Sequence, residues 1–219
     1  MKKILLLILA LLFISCAAHH SLQPMGQGNW AGNISFGGPI IAAFDTHIPM
    51  PYLTAGATYG LGERFNMDGN LHLFPLAYQI GGLDIGAAWF PITQNGLKPT
   101  LSLQPRLMLL ASLKSDVSER FRLIPILTPT AAWKVKKGLL YTGMDWTFPL
   151  NSPDYNEDTP VTIISPFCGY RWSLKTNLFL YTEIKWQGAN ILSDKLAVDY
   201  WPIGGHGAFS TLISIERGF

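Results

Sequence analysis

The feature that most constrains this chain is a regular alternation of apolar and polar residues over short stretches. In Thr100–Leu113, one side of the alternation consists of Leu101, Leu103, Pro105, Leu107, Leu109, Ala111 and Leu113, and the residues between them are mostly polar. The stretch Asn177–Gln187 repeats the pattern with Leu178, Leu180 and Ile184. Successive side chains of a strand point to opposite faces, so each stretch predicts a strand with one apolar face. Each is also long enough to cross a membrane when tilted.

Eight weaker alternating stretches bring the total to about ten strands, between 8 and 12. The further predicted strands are Pro39–His47, Leu53–Arg64, Leu71–Gln79, Leu83–Phe90, Phe121–Lys134, Leu140–Phe148, Val161–Trp172 and Gly207–Phe219. Short links with turn sequences, such as 67–70 and Asn95-Gly96, are predicted at one end of the strands. The two longest links, Asn151–Pro160 and Ala189–His206, fall at the other end.

The composition favours a membrane barrel over a soluble core. The chain is 48% hydrophobic but only 14% charged, whereas ordinary soluble domains are about 25% charged. No stretch after the first fifteen residues is long and apolar enough for a membrane helix. We therefore expect an all-β fold, an antiparallel up-and-down transmembrane β-barrel, over residues 34–219.

The N-terminus has the pattern of an export signal. Lys2 and Lys3 precede an unbroken apolar stretch, so residues 1–15 are predicted to be a signal peptide for Sec export. The sequence Phe13-Ile14-Ser15-Cys16 resembles the bacterial lipobox, although Phe13 departs from its usual leucine. The resemblance implies lipidation of Cys16 and a lipidated arm over residues 16–33. Ordinary cleavage after Ala18 is the alternative.

The C-terminus resembles the strand signal that the barrel-assembly machinery reads in bacterial outer-membrane proteins. Its alternating apolar residues are Phe209, Ile213, Ile215 and the terminal Phe219, and Arg217 departs from the pattern. The resemblance implies that the protein resides in the outer membrane, with lipid and the assembly machinery as partners. Without Lys2 and Lys3 the 16 basic residues fall to 14 and equal the 14 acidic ones, so no nucleic-acid partner is expected.

Charged residues on the polar faces are predicted to line the lumen. They are Asp45, His47, Arg64, Asp84, Arg106, Arg122, Asp145, Arg171, Glu183, Lys185 and Glu216. A barrel this narrow is filled by side chains, and buried charges need partners. We expect a mostly closed structural or binding barrel, with a possible extracellular ligand at loops 151–160 and 189–206. A narrow, charge-lined, porin-like path for small solutes is the alternative.

The motifs of common enzymes and metal sites are absent from the sequence. It contains no G-x-S-x-G, H-E-x-x-H or P-loop. Asp45 and His47 resemble one part of the sites of omptin proteases and lipid A deacylases, so a hydrolase is a second alternative. His19-His20 is predicted to be a solvated linker, and Cys168 a small apolar residue on a strand. We expect no catalytic residues, metal or cofactor.

Overall fold

The structure is a computed structural model that describes residues 19–43, 46–114, 121–150, 161–196 and 198–219. Its strands are β1 (Trp30–Ala43), β2 (Thr46–Pro49), β3 (Tyr52–Gly60), β4 (Phe65–His72), β5 (Ile80–Ile92), β6 (Thr100–Ser112), β7 (Phe121–Val135), β8 (Gly138–Thr147), β9 (Ile163–Lys175), β10 (Leu178–Leu192) and β11 (His206–Gly218). Two short 3-10 helices cover Phe74–Tyr78 and Ser193–Lys195. Over the described ranges, no helix has the length and apolar character needed to cross a membrane.

The sheet closes on itself. Neighbouring strands pair antiparallel, and β1 also pairs with β11 over nine residues, from Ala31 opposite Gly218 to Pro39 opposite Ser210. The short β2 pairs only with the far end of β1, so the wall of the barrel has ten strands. The predicted antiparallel barrel of about ten strands is confirmed.

The two ends of the barrel differ. The end called here the turn end carries the short hairpins between β3 and β4, β5 and β6, β7 and β8, and β9 and β10. It also holds the start of β1 and the C-terminus, where the Phe219 N–H donates to the Trp30 carbonyl at 2.8 Å. The opposite loop end carries the 3-10 helices and the longer connections. Loop 151–160 lies outside the described residues.

One predicted turn is wrong. Residues 67–70 lie inside β4, and the true turn is at residues 61–64. Asn66, Asp68 and Asn70 are buried in the lumen, and such polar residues in a strand look like a turn when only sequence is considered. The predicted strand Leu71–Gln79 is also wrong, because most of it forms the 3-10 helix with Pro75 near its start.

The first strand begins earlier than predicted. The strand was predicted at Pro39–His47 and the barrel from residue 34, but β1 starts at Trp30. The sequence Gly37-Gly38-Pro39 interrupts the alternation and hides this strand. Gly37 has φ of +144°, and a Cβ there would collide with the backbone of Thr211 in β11. The close approach of the first and last strands therefore needs glycine at this position.

Apolar side chains cover the outside of the wall. In β6 the side chains of Ser102, Gln104 and Arg106 are buried, whereas those of Leu107 and Leu109 on the opposite face are exposed. In the two clearest alternating stretches, the apolar residues, which we expect to face lipid, all lie on this outer face, fully or partly exposed: Leu101, Leu103, Leu107, Leu109, Leu178, Leu180 and Ile184. The register between β6 and β7 runs without a shift, although prolines lie in both strands.

Leu107→Arg tests the assignment of the outer face. A positive charge near the middle of the lipid-facing band costs about 2–4 kcal/mol, so this variant should assemble into membranes poorly. Assembly can be followed as the fraction of protein that resists unfolding in unheated SDS gels. Leu97→Arg is the matched control, because Leu97 is 95% exposed in the hairpin between β5 and β6. Equal assembly of the two variants would contradict the assignment.

Candidate functional site in the barrel lumen

The lumen is occupied by the chain's own N-terminal residues. Residues 19–29, called here the inserted segment, run from the interior of the barrel to the turn end, where the Gly28 N–H donates to the Gly60 carbonyl at 2.9 Å. The side chains of His19, His20, Ser21 and Leu22 are all buried. The prediction that His19-His20 is a solvated linker is therefore wrong. The carboxylates beside these histidines, Glu216 and Glu183, lie on the last two strands, so the local sequence around residues 19 and 20 does not indicate them.

His19 connects opposite walls of the barrel. Its Nε2 lies 2.5 Å from the Oε2 of Glu216 on β11. Its ring packs edge-on against Tyr181 on β10, with centroids 4.5 Å apart. Its backbone carbonyl accepts a hydrogen bond of 3.1 Å from Arg106 on β6. The ring and the backbone of one residue are thus held by three strands.

His20 is held by an aromatic ring and a carboxylate. Its imidazole stacks on Phe167 with centroids 4.3 Å apart and planes 6° from parallel. Its Nε2 lies 3.4 Å from the Oε2 of Glu183. The Nζ of Lys185 lies 3.5 Å from the other oxygen of Glu183 and 5.1 Å from the centre of the Phe167 ring. His20 therefore joins a charged cluster on β10, with the ring of Phe167 from β9 beside it.

Two amide side chains bind the backbone of the inserted segment. Gln104 accepts from the Ser21 N–H at 3.3 Å and donates to the Ser21 carbonyl at 2.7 Å. Asn66 accepts from the Met25 N–H at 3.0 Å and donates to the Gln23 carbonyl at 2.9 Å. A buried backbone needs such partners, and here side chains of the wall provide them in place of a neighbouring strand.

A second charged cluster lies on β4, β5 and β6. Arg106 pairs with Asp68 at 2.6 Å and approaches Asp84 at 3.5 Å. Asp84 also lies 2.7 Å from His72 Nε2. The other ring nitrogen of His72 lies 2.5 Å from the hydroxyl of Tyr52. Because both ring nitrogens are engaged and His72 is 1% exposed, this chain of contacts is closed to an incoming molecule.

The predicted lumen charges separate into four groups. Those inside the barrel are Asp84, Arg106, Asp145, Arg171, Glu183, Lys185 and Glu216. Arg122 is half-buried and lies two residues before the inward-facing Ile124, on the same face of β7. His47 and Arg64 were predicted wrongly: both are exposed, His47 in the hairpin of β1 and β2 and Arg64 in the turn after β3. Asp45 lies outside the described residues.

Several lumen residues escaped the sequence analysis. They are His19, His20, Asp68, His72, and the amides of Asn66 and Gln104. For β4 a signal did exist, because Asn66, Asp68, Asn70 and His72 recur at every second position, the period of a strand. For His19 and His20 there was none. Cys168 lies exposed in β9, and Cys16 lies outside the described residues.

The loop end of the lumen is apolar. Ile80, Met108, Leu110, Ile124 and Ile126 form one buried cluster there, and Met50, Tyr52, Tyr200 and Ala208 form another. The predicted loop 189–206 is partly wall, because its first four residues belong to β10. Tyr200 points into the interior while its neighbour Trp201 is exposed, so the two do not form one aromatic surface.

A cavity of about 330 Å³ opens at the turn end between the inserted segment and the wall. Arg171 lines it, donates to the side chain of Gln23 at 2.8 Å and covers the ring of Phe179 at 4.5 Å. Within the described part of the chain, no group of three or more His, Cys, Asp or Glu side chains is placed to hold a metal ion.

Solved structures of bacterial outer-membrane proteins share this architecture. An outer-membrane channel of Pseudomonas putida F1 matches with a TM-score of 0.51 at 10% identity, over 93% of this chain and 100% of the channel. The chain has the fold of a bacterial outer-membrane β-barrel. The translocator domain of the autotransporter NalP of Neisseria meningitidis also matches (TM-score 0.47, 11% identity, 90% of this chain and 91% of that domain). So does the NanC porin (0.46, 8%, 86% and 98%).

Comparison by sequence finds no relatives: no family model matches the chain, and no curated protein matches it. The similarity to the Pseudomonas putida channel therefore concerns the barrel fold.

Lys185→Met tests the buried pairing. Lys185 lies 2.7 Å from Asp145, and removing one partner of a buried ion pair costs about 3–5 kcal/mol. We expect a loss of this size in the free energy of unfolding, measured by urea titration of the barrel in lipid vesicles. Adding Asp145→Asn should restore part of the loss, because it removes one of the two carboxylates that lose Lys185 as a partner. Lys98→Met, at an exposed site in a hairpin, is the control and should change little.

Proposed function

We propose that this protein is a bacterial outer-membrane barrel that its own inserted segment holds closed. The observation that carries the proposal is the burial of residues 19–22 in the lumen, with His19 and His20 each beside a carboxylate. A ten-stranded barrel is already narrow, since wide aqueous pores need about 16 strands. With a segment of chain inside it, little space remains for passing solutes. The protein then acts as a mostly closed scaffold rather than an open porin.

The location in the outer membrane is part of the proposal. The apolar outer face supports contact with lipid, and the barrel would reach it after Sec export with its turn end toward the periplasm. Phe209, Ile213, Ile215 and Phe219 lie in one outward-facing row along the last strand and terminus. That row would be accessible to the barrel-assembly machinery. Ligand binding, if the scaffold serves it, would fall to the loop end, at loops 151–160 and 189–206.

A non-catalytic role fits the histidines better than a hydrolase does. Among the described residues, His72 and His19 each contact a carboxylate and a hydroxyl. Asp84 and Tyr52 engage both ring nitrogens of His72, Glu216 and Ser214 engage both ring nitrogens of His19, and both side chains are buried. His47, which resembled part of a hydrolase site, is exposed, and its ring lies 5.5 Å from that of Trp201 with the two planes 46° apart. We therefore propose that these side chains stabilise the barrel.

A narrow gated path is the second candidate. Arg106, Asp68, Glu183 and Lys185 contact the inserted segment or each other, so withdrawal of the segment would leave charges of both signs along the lumen. A path lined in this way would pass small solutes and respond to charge substitutions. The same inserted segment would then be its gate.

Planar-bilayer conductance of Glu183→Gln combined with Glu216→Gln tests the closed state. The two changes remove the carboxylates that hold His20 and His19. The hydrogen bond between His19 and Glu216 involves a charged group and contributes about 1.5–3 kcal/mol, so the open fraction should rise at least about tenfold. The wild type should show no steady conductance. Glu63→Gln makes the same chemical change at an exposed turn residue and should behave as the wild type.

Selectivity separates the two candidates. If the double variant conducts, Arg106→Glu in that background should shift its preference toward cations, as expected for a gated path. If the double variant stays silent, the gated path is refuted, and the two carboxylates are not what holds the barrel closed. A large, stable conductance of the wild type would contradict both.

A further inference from the structure

From the position of His19 we infer that the mature chain begins at this residue, after cleavage between Ala18 and His19, and that its new α-ammonium group is buried in the lumen. The inference rests on the proposed closed state, in which residues 19–22 fill the barrel. It decides between the two processing sites that the sequence leaves open. It also gives the N-terminus a structural role.

The first argument is the reach of the chain. Cys16 precedes His19 by three residues, and three residues span at most about 11 Å. Ten strands about 4.8 Å apart, tilted by about 40°, place the backbone wall about 10 Å from the barrel axis. His19 contacts Arg106 on one wall and Glu216 on another, so it lies across the interior. A lipid anchor on Cys16 would have to leave the lumen, pass over the rim and enter the membrane, and three residues are too few.

The lipid anchor also cannot pass directly through the wall of the barrel. Beside His19, β11 is paired with β1 on one side and with β10 on the other, through Ser214 and Glu216 in both ladders. An acyl chain at residue 16 could not pass through this hydrogen-bonded wall to reach lipid. The inserted conformation and a lipidated Cys16 therefore exclude each other.

The sequence before His19 suits ordinary cleavage. The last three residues of the leader are Cys16, Ala17 and Ala18, and small residues at the first and third positions before the cut are the pattern of a secretory signal peptide. Hydrolysis adds water across the Ala18–His19 peptide bond. The carboxylate stays on Ala18 with the leader, and His19 gains a free amino group that is protonated at neutral pH.

The second argument is charge. Among the described residues, four carboxylates are buried, those of Asp68, Asp84, Asp145 and Glu183, against two permanent cations, Arg106 and Lys185. A buried charge without a partner is costly. An α-ammonium at His19 adds one positive charge to the interior and reduces this imbalance.

The third argument is a carboxylate close to His19. The same nitrogen of Arg106 donates to the His19 carbonyl at 3.1 Å and to Asp68 Oδ2 at 2.6 Å. Asp68 thus lies beside the first residue of the mature chain. Its other oxygen, Oδ1, is buried and has no hydrogen-bond partner among the described residues. An α-ammonium on His19 would bring three donors to the residue whose carbonyl shares the Arg106 nitrogen with Asp68.

The direct test is N-terminal sequencing and intact mass of the full-length protein purified from bacterial outer membranes. We expect the sequence His-His-Ser-Leu-Gln and the unmodified mass of residues 19–219. Cys16→Ser should give the identical product, since residue 16 is removed with the leader. An acylated Cys16 at the N-terminus, or loss of processing in Cys16→Ser, would overturn the inference.

Amine labelling tests the burial separately. In the folded protein, the α-amino group should react with an amine-acylating reagent at least about tenfold more slowly than in urea. The exposed Lys98 should react at similar rates in both and is the internal control. Glu183→Gln with Glu216→Gln should make the α-amino group reactive without unfolding the barrel. Equal rates in the folded and unfolded wild type would refute a buried N-terminus.

The two proposals can fail separately. A chain that begins at His19 but conducts steadily would refute the closed state and leave the processing site standing. A silent barrel with an acylated Cys16 would refute the processing site, and the closure would then need another cause.

Discussion

The structure depends on the closed hydrogen-bonded wall. Lipid offers no partner to a backbone N–H or carbonyl, so a sheet in a membrane must pair its first strand with its last. Here β1 and β11 meet over nine residues, and glycine at position 37 permits their close approach. Closure divides every strand into an apolar outer face and an inner face. The polar residues of all strands are thereby confined together in one narrow tube.

Because the polar residues are confined together, charges are buried in the tube that the side chains of the wall alone do not balance. Carboxylates outnumber the permanent cations among the buried side chains of the described residues. The inserted segment brings two histidines to Glu216 and Glu183 and a carbonyl to Arg106. Its backbone in turn satisfies the amides of Asn66 and Gln104. The segment is therefore part of the interior in the same sense as a core residue of a soluble protein.

The sequence predicts features that depend on neighbouring residues, and it misses contacts between residues that are far apart in the chain. The alternation in β6 and β10 predicts the fold. It also predicts that Leu107 faces outward and Glu183 inward, because side chains of a strand alternate between its two faces and this pattern is visible in adjacent residues. The turn predicted within β4 is wrong because the polar lumen residues of this strand resemble a turn sequence. His47 and Arg64 are predicted wrongly because the alternation in the sequence continues past the ends of the strands that form the wall. The contact of His19 with Glu216 spans 197 positions. Nothing near His19 indicates it, since the partner exists only once the barrel has closed.

The partners of His19 lie on strands that are far apart in the sequence, and this has a consequence for the order in which the barrel folds. Arg106 lies on β6, Tyr181 on β10 and Glu216 on β11, so the binding site of the segment is incomplete until the last strand has joined the sheet. A contact between residues so far apart carries nearly the full loop-closure entropy of the chain, and such non-local contacts form slowly. Full insertion of the segment is therefore expected to follow closure of the sheet. A barrel with a strand missing or out of register cannot complete it.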